Sequence, residues 1–532
     1  MTCTLYFLSV EYTYMKKMNG AESLIQTLLD GGVDTCFMNP GTSEIHFVSA
    51  LDTHPEMRSV LCLFEGVVTG CADGFARIAG KPAASLLHLG PGLGNGIANL
   101  HNAKKAFTPI VNIVGQHATR HLEYDAPLTC DIEGLARPVS GWVKTITDAQ
   151  SVAEDGAAAI AASQSPPGQV ATLILPADTA WNAANGPAKP QAIPKPNPVP
   201  TDRINQISKI LRAKENVVLL VGDHVLASEK LQRITSSIAK KFGARFVAKW
   251  YGGRIERGAG RPIIERLSYE VDKSLEMLKD TQHLVLVGTA EPIGFFAYPN
   301  KPSLLAPPEA NIHMLAKLED DVAAALESLA AELGVTDDPG KLATNERPPM
   351  PTGALEPDKV WTSISALMPE NSIISDEGVT ASRIAGPLTE TAPAHDWLHV
   401  CGGSIGQGLP VATGAALASP DRQVFAMEAD GSGMYTLQAL WTQARESLNV
   451  VNVIFANRAY RILQAEMKHL CDKEDGPQSS AMMLLDNPNL DWVQLSQGMG
   501  VPAVRVDTVE AFNAALKRGI QEPGPCLIEA LV

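Results

Sequence analysis

Positive charge is scarce in this sequence. Lysine and arginine number 43 against 58 aspartates and glutamates, leaving a formal net charge of -15. That deficit excludes nucleic acid or an anionic membrane surface as the main partner. It does not exclude a phosphorylated cofactor, whose charge a metal ion screens locally. No apolar run approaches the roughly 18 residues that a membrane span needs. C-x-x-C pairs are absent too: Cys3, Cys36, Cys62, Cys71, Cys130, Cys401, Cys471 and Cys526 are scattered, several within apolar runs. They read as buried, reduced thiols of a cytoplasmic protein rather than a disulfide frame. The first residues carry no basic lead and their apolar stretch is broken at Glu11, so they do not read as a secretory leader. The regular pattern begins near Met18, and residues 1–17 are expected to be a tail or an upstream overextension of the start. The glycine-rich stretch Gly90–Gly96 does not fit G-x-G-x-x-G, which argues against a nicotinamide site.

What is present is a long α/β pattern. A chain of 532 residues exceeds one ordinary core, so two to four domains of roughly 100–200 residues are expected. Two proline-rich stretches, 185–200 and about 337–357, lack the backbone donors that regular structure needs and read as linkers. They leave segments 18–184, 200–336 and 357–532. Each contains short, mostly apolar runs that end in or just before Gly, Pro or a polar residue, such as 84–89, 110–115, 171–176, 217–222, 283–288, 424–430 and 450–457. Runs apolar on both faces, separated by helical patterns, predict three doubly wound parallel sheets covered by helices. Ligands in such sheets bind at the carboxyl ends of strands, where the polar residues fall here.

Two places carry the chemistry. Asp430 and Asn457 each lie just past an apolar run, 27 positions apart, which allows one helical crossover between neighbouring parallel strands. A carboxylate and an amide oxygen converging there, with a carbonyl and two phosphate oxygens, make the octahedral shell that Mg²⁺ prefers. Gly431, Ser432 and Gly433 would let a diphosphate approach the backbone and the following helix N-terminus. Taken alone, the same residues also describe a capped strand-to-helix turn. Glu65, in Leu63-Phe-Glu-Gly-Val-Val-Thr-Gly-Cys-Ala-Asp-Gly-Phe-Ala-Arg77, opens a small-residue helix. Taken alone, it is equally a carboxylate favoured by the helix dipole.

Together these stretches resemble the thiamine-diphosphate-dependent enzymes of the acetolactate synthase and benzoylformate decarboxylase group, over residues 18–532. The resemblance implies the order pyrimidine-binding (18–184), middle (200–336) and diphosphate-binding domain (357–532), with residues 1–17 outside it. It implies thiamine diphosphate and Mg²⁺ as cofactors. Asp430, Asn457 and the carbonyl of Ala459 would hold the metal. Glu65 would share a proton with N1′ of the pyrimidine, so that the cofactor's own imino nitrogen can deprotonate its carbon acid. Cys401-Gly-Gly-Ser-Ile-Gly-Gln-Gly-Leu-Pro410 resembles the element that bends the cofactor, with Ile405 beneath it and the Gly403 carbonyl accepting from its amino group. Ser375-Asp-Glu-Gly-Val-Thr380 resembles the diphosphate loop, with Thr380 as donor and Glu377 structural. Asn39-Pro-Gly-Thr-Ser-Glu-Ile-His-Phe47 resembles the decarboxylase loop that meets the substrate carboxylate, which places Thr42 there. Leu86-Leu-His-Leu-Gly-Pro-Gly-Leu-Gly-Asn95 places His88 as a proton relay. Gln116 and His117 are further candidates for the pocket, or for capping a loop. The group forms its site between subunits, which implies a homodimer or homotetramer.

The sequence departs from the pattern in several places. Ala429 stands for the first Gly of Gly-Asp-Gly, and Phe296 falls where the decarboxylase carries a second histidine. Asp125–Glu133 lacks a Phe-Gln pair, and the segment after Tyr460 lacks the synthase's tryptophan. Lys249–Arg257 does not match its flavin segment, so FAD is the cofactor with least support. The expectation is a decarboxylase or carboligase acting on a small-molecule 2-oxo acid, acetolactate synthase-like. The alternatives are a carbon–carbon lyase or hydrolase of a hydroxyketone or dione, and an inactive cofactor-binding relative. Arg461, Gln464 and Glu466 are placed at the pocket mouth or on a solvated helix face.

Overall fold

The computed structural model describes residues 17–471 and 476–532; the expected tail, Lys17 apart, lies outside the described residues. Three sheets account for the strands. The first has the spatial order Arg58–Leu61, Thr35–Met38, Ala83–Leu87, Ile110–Gln116, Val170–Pro176, Trp142–Thr145. All its neighbours are parallel. The second, also parallel, runs Glu265–Arg266, Arg245–Ala248, Val217–Val221, His283–Val287, Asn311–Ala316. The third runs Ala503–Val506, Cys526–Leu531, Val450–Ala456, Val424–Ala429, Ser372–Glu377, His395–His399, Ile255–Arg257. The central strands Ile110–Gln116, Val170–Pro176 and Val450–Ala456 are buried along their whole length, as apolar runs sandwiched between helices must be.

The third sheet departs from the all-parallel expectation at one edge. Ile255–Arg257 comes from the middle segment and pairs antiparallel with His395–His399, Trp397 opposite Ile255. It covers an edge that would otherwise leave backbone groups unpaired. The strand His395–His399, His-Asp-Trp-Leu-His, has no apolar run to reveal it. Its buried Asp396 is satisfied by neighbours, accepting from Arg254 at 2.7 Å and Arg422 at 2.6 Å.

The first and third segments meet through two helices, Glu65–Ala79 and Gly408–Ala418. Their contact is backbone on backbone. A Cβ at Gly74 would sit 2.1 Å from the Val411 carbonyl, and one at Gly414 would sit 1.9 Å from the Cys71 carbonyl. The small-residue composition of both helices therefore comes from this approach. Beside it Arg77 bridges all three segments. It pairs with the fully buried Asp73 and donates to the carbonyls of His399 (2.8 Å) and Gly253 (3.2 Å). The seven described cysteines are free, and three of them, Cys36, Cys62 and Cys71, are buried. Among the described residues no helix is long and apolar enough to cross a membrane.

Candidate active site

Asp430 follows the strand Val424–Ala429 and Asn457 follows its neighbour Val450–Ala456, so the parallel pairing brings both to one sheet edge. The Asp430 carboxylate accepts from Gly431 N–H at 2.9 Å and from Arg458 N–H at 2.6 Å. The Asn457 amide oxygen accepts from Ala459 N–H at 2.9 Å. Burial pushes the Asp430 carboxyl up to about 6, against the lowering pull of its backbone donors. A buried carboxylate with no cation beside it is what a divalent ion would relieve. No hydrogen bond ends on the Ala459 carbonyl among the described residues. Nor do three His, Cys, Asp or Glu side chains converge on a metal-ready point among them. An aspartate, an asparagine, a carbonyl and phosphate oxygens need no such cluster.

The turn itself is built differently from the sequence expectation. Gly431 is required by packing, since its Cβ would lie 2.5 Å from the Tyr460 ring; likewise Gly433 faces Trp492 at 2.7 Å. The Ser432 hydroxyl points inward and donates to the buried Glu428 carboxyl and to the Ala429 carbonyl (3.2 Å). That side chain serves the turn, which leaves the backbone as Ser432's means of meeting a diphosphate.

Glu377 has the structural role expected of it. Its carboxylate accepts from Gly406 N–H at 2.6 Å, Gln407 N–H at 2.7 Å and Gly408 N–H, which ties down the loop that carries Gly403 and Ile405. A methyl at Gly408 would touch both Glu377 and Glu428, so the two acids are neighbours. Burial raises both carboxyls, and the nearby Glu377 charge raises Glu428 further. Glu428 was not foreseen, because a glutamate inside a strand looks like an exposed one until the sheet is covered on both faces. Gly403 takes φ +71° and faces Phe295, 2.5 Å from its Cβ position. It is therefore Phe295, next to the expected Phe296, whose ring packs against Gly403. Glu466 ties its helix to the middle segment by accepting from Tyr269 (3.1 Å) and Tyr298 (3.0 Å). Thr380 is half-buried and follows Val379.

In the first segment Glu65 is the first residue of the helix Glu65–Ala79, buried, and accepts from Asn95 at 3.0 Å. The position of a Cβ on Gly92 lies 3.1 Å from the Glu65 carboxylate and 3.3 Å from the His88 Cβ, so both residues flank one glycine. His88 Nδ1 meets Glu44 at 2.8 Å, and Glu44 also accepts from Gly41 N–H at 2.8 Å. Thr42 is exposed beside them. Gln116, at the strand end, caps the loop by accepting from His117 N–H at 2.8 Å. His117 is shifted down by burial and by the imidazoles of His121 and His88. Among the described residues no hydrogen bond or ion pair joins Glu65 to Asp430 or Asn457.

Backbone strain marks these loops. Leu89, Val379 and Arg458 all hold positive φ (49°, 47° and 57°). Each adjoins a candidate residue: His88, Thr380, and Asn457 with Ala459. A β-branched valine in that region is costly, about 1–3 kcal/mol, and persists only where its surroundings demand it.

The N-terminal thiamine pyrophosphate-binding domain of thiamine pyrophosphate enzymes matches residues 18–136, and the C-terminal one matches residues 380–530. A Mycobacterium tuberculosis protein, provisionally named acetolactate synthase large subunit IlvX, is 47% identical over 97% of this chain and 99% of its own. The chain belongs to the thiamine pyrophosphate enzyme family. Benzoylformate decarboxylase of Pseudomonas aeruginosa is 28% identical over 94% of this chain and 96% of its own. The Rhodococcus jostii RHA1 thiamine diphosphate-dependent 4-hydroxybenzoylformate decarboxylase superposes with a TM-score of 0.85 at 25% identity, covering 97% of this chain and 99% of that one. In this thiamine pyrophosphate enzyme of the acetolactate synthase and benzoylformate decarboxylase type, Glu65 and Asp430 are buried and Asn457 adjoins Arg458 at positive φ.

The flavin question turns on the middle segment. Trp250 and Arg257, from the stretch that does not match the synthase's flavin segment, line a cavity of about 400 Å³ together with Arg266, Arg383, Glu256, Glu270 and Glu390. Its charges are mixed, and burial lowers Arg257 to about 10. Nothing in this lining selects an isoalloxazine.

Proposed function

We propose that this thiamine pyrophosphate enzyme decarboxylates a 2-oxo acid and either protonates the product or joins it to a second carbonyl. Asp430, Asn457 and the Ala459 carbonyl would hold Mg²⁺, and the loop at Gly403 and Ile405 with Thr380 and the Gly431–Ser432 backbone would hold the cofactor. Bound thiamine diphosphate supplies a carbon nucleophile and takes up the electron pair released when CO₂ leaves. The protein's own share is positional. Glu65, buried at a helix N-terminus, holds a proton against a ring nitrogen. Thr42 receives the substrate carboxylate, and His88 moves a proton at the reacting centre, with Gln116 closing the pocket floor. Ile405 and Phe295 exclude water from the opposite side. Because Glu65 and the Asp430–Asn457 pair lie on separate segments, a homodimer or homotetramer would complete the site, one subunit's Glu65 facing the other's metal.

The observation that carries the reading is the Asp430–Asn457 pair at one sheet edge with a carboxylate that burial holds near pH 6. The deciding experiment incubates the holoprotein with a panel of 2-oxo acids and measures CO₂ and acyloin together. Pyruvate converted to acetolactate supports the synthase form, and benzoylformate converted to benzaldehyde the decarboxylase form. CO₂ from none of them would overturn the proposal, leaving cleavage of a hydroxyketone or dione. Glu65→Gln should bind cofactor normally and lose about 10²–10⁴-fold in turnover; parental turnover would refute its role.

A further inference from the structure

We infer that Glu44 is a positioning residue that sets the orientation and tautomer of His88. The inference rests on the thiamine-diphosphate reading of the site. Glu44 sits in the turn Thr42–Glu44 and is 1% exposed. One carboxylate oxygen takes Gly41 N–H and His88 Nδ1, both at 2.8 Å, while the other is buried without a partner. Burial raises this carboxyl, and His88 is the largest influence acting the other way. Two glycines make the contact possible. A Cβ at Gly41 would lie 2.1 Å from His88 Nδ1, and one at Gly115 would lie 1.6 Å from the unpartnered Glu44 oxygen. A turn that only reversed the chain would need neither vacancy. They are explained if the chain must seat a carboxylate behind an imidazole.

The consequence is chemical. With Nδ1–H committed to Glu44, the tautomer is settled and Nε2 is the nitrogen left to meet substrate. His88 keeps a 24% exposed side chain through which that edge is reached. The groups that face it are Glu44 from the turn, Glu65 across Gly92 from the helix Glu65–Ala79, and His117 past the strand Ile110–Gln116 with His121 behind it. Cys130 lies against Gly90 on the first turn of the helix Leu89–Lys105 that follows His88. Of these, the Glu44 carboxylate is the one hydrogen-bonded to the ring. A proton delivered to the product after CO₂ departs then passes from His88 Nε2, which is reprotonated from water.

The test compares parent, Glu44→Gln, Glu44→Asp and His88→Ala as holoenzymes with thiamine diphosphate, Mg²⁺ and the 2-oxo acid the parent turns over best. Glu44→Gln should keep thermal stabilisation by cofactor and lose about 10–100-fold in kcat, with KM changed less than about threefold. Glu44→Asp, which keeps a carboxylate, should recover part of that loss. In the double variant with His88→Ala, the Gln substitution should add no further loss. A parental kcat in Glu44→Gln, no recovery in Glu44→Asp, or losses that add in the double variant, would overturn the role. Failure of the cofactor reading shows separately, as a parent that thiamine diphosphate does not stabilise. In that case NMR of the cofactor-free protein at one pH decides: a hydrogen-bonded His88 Nδ1–H is seen in the parent if the dyad is real and is absent if it is not. Should Glu44→Gln fail to fold, the same comparisons are read from Glu44→Asp.

Discussion

Replacing Asp430 with asparagine tests the metal assignment through stability alone. In the metal-free protein the Asp430 carboxyl is raised from 3.8 to about 6 by burial. A folded-state value above the unfolded one means that folding takes up a proton between those pH values. Stability therefore falls as pH rises through this window, and the whole penalty is present above about pH 6. A shift of roughly two units corresponds to about 3 kcal/mol as an upper bound, since each unit is worth about 1.4 kcal/mol. Asparagine removes the ionisation but can satisfy only one of the two N–H donors, from Gly431 and Arg458, which returns about 1–2 kcal/mol of the gain. The metal-free variant should thus melt a few degrees above the parent at pH 8, at most about 4 °C per kcal/mol for a unit of this size. The difference should vanish or reverse near pH 4. With Mg²⁺ and thiamine diphosphate the order should invert, because a carboxylate binds the cation more strongly than an amide and the parent gains more binding energy. Calorimetry with EDTA and with cofactor, at three pH values, measures all of this, and it resolves the transitions of a multi-domain chain. A variant less stable than the metal-free parent at every pH, or one that cofactor stabilises as much as the parent, would refute the argument.

Other outcomes follow from the same geometry. Arg77→Met leaves Asp73 buried without its cation and removes donors to His399 and Gly253; a loss of about 3–5 kcal/mol in denaturant unfolding is expected. Gly431→Ala drives a methyl into the Tyr460 ring and should cost about 1–3 kcal/mol, together with most of the cofactor-dependent rise in melting temperature. Val379→Gly relieves a residue at φ 47° and should stabilise the cofactor-free protein by about 1 kcal/mol while raising the cofactor concentration needed for half-activation.

The sequence by itself determined the sheets and the ends of strands where chemistry gathers. Apolar runs such as Ile110–Gln116 and Val450–Ala456 are legible because strands buried on both faces tolerate little else. Asp430 and Asn457 each follow such a run, whereas Glu65 follows the partly exposed edge strand Arg58–Leu61 and stands out by its small-residue helix. Tertiary structure decided what those residues lean on. That His88 needs Glu44, that Ser432 turns inward to Glu428, and that Arg77 joins three segments depends on contacts between positions far apart in the chain. Nothing local to Gly41–Glu44 says that Gly115 vacates the space for that carboxylate. The edge strand Ile255–Arg257 was equally hidden, because a three-residue strand is held by the sheet it completes and carries no pattern of its own. Periodicity reports which faces are buried. Which polar group is buried beside which, and therefore which proton moves, is set by packing.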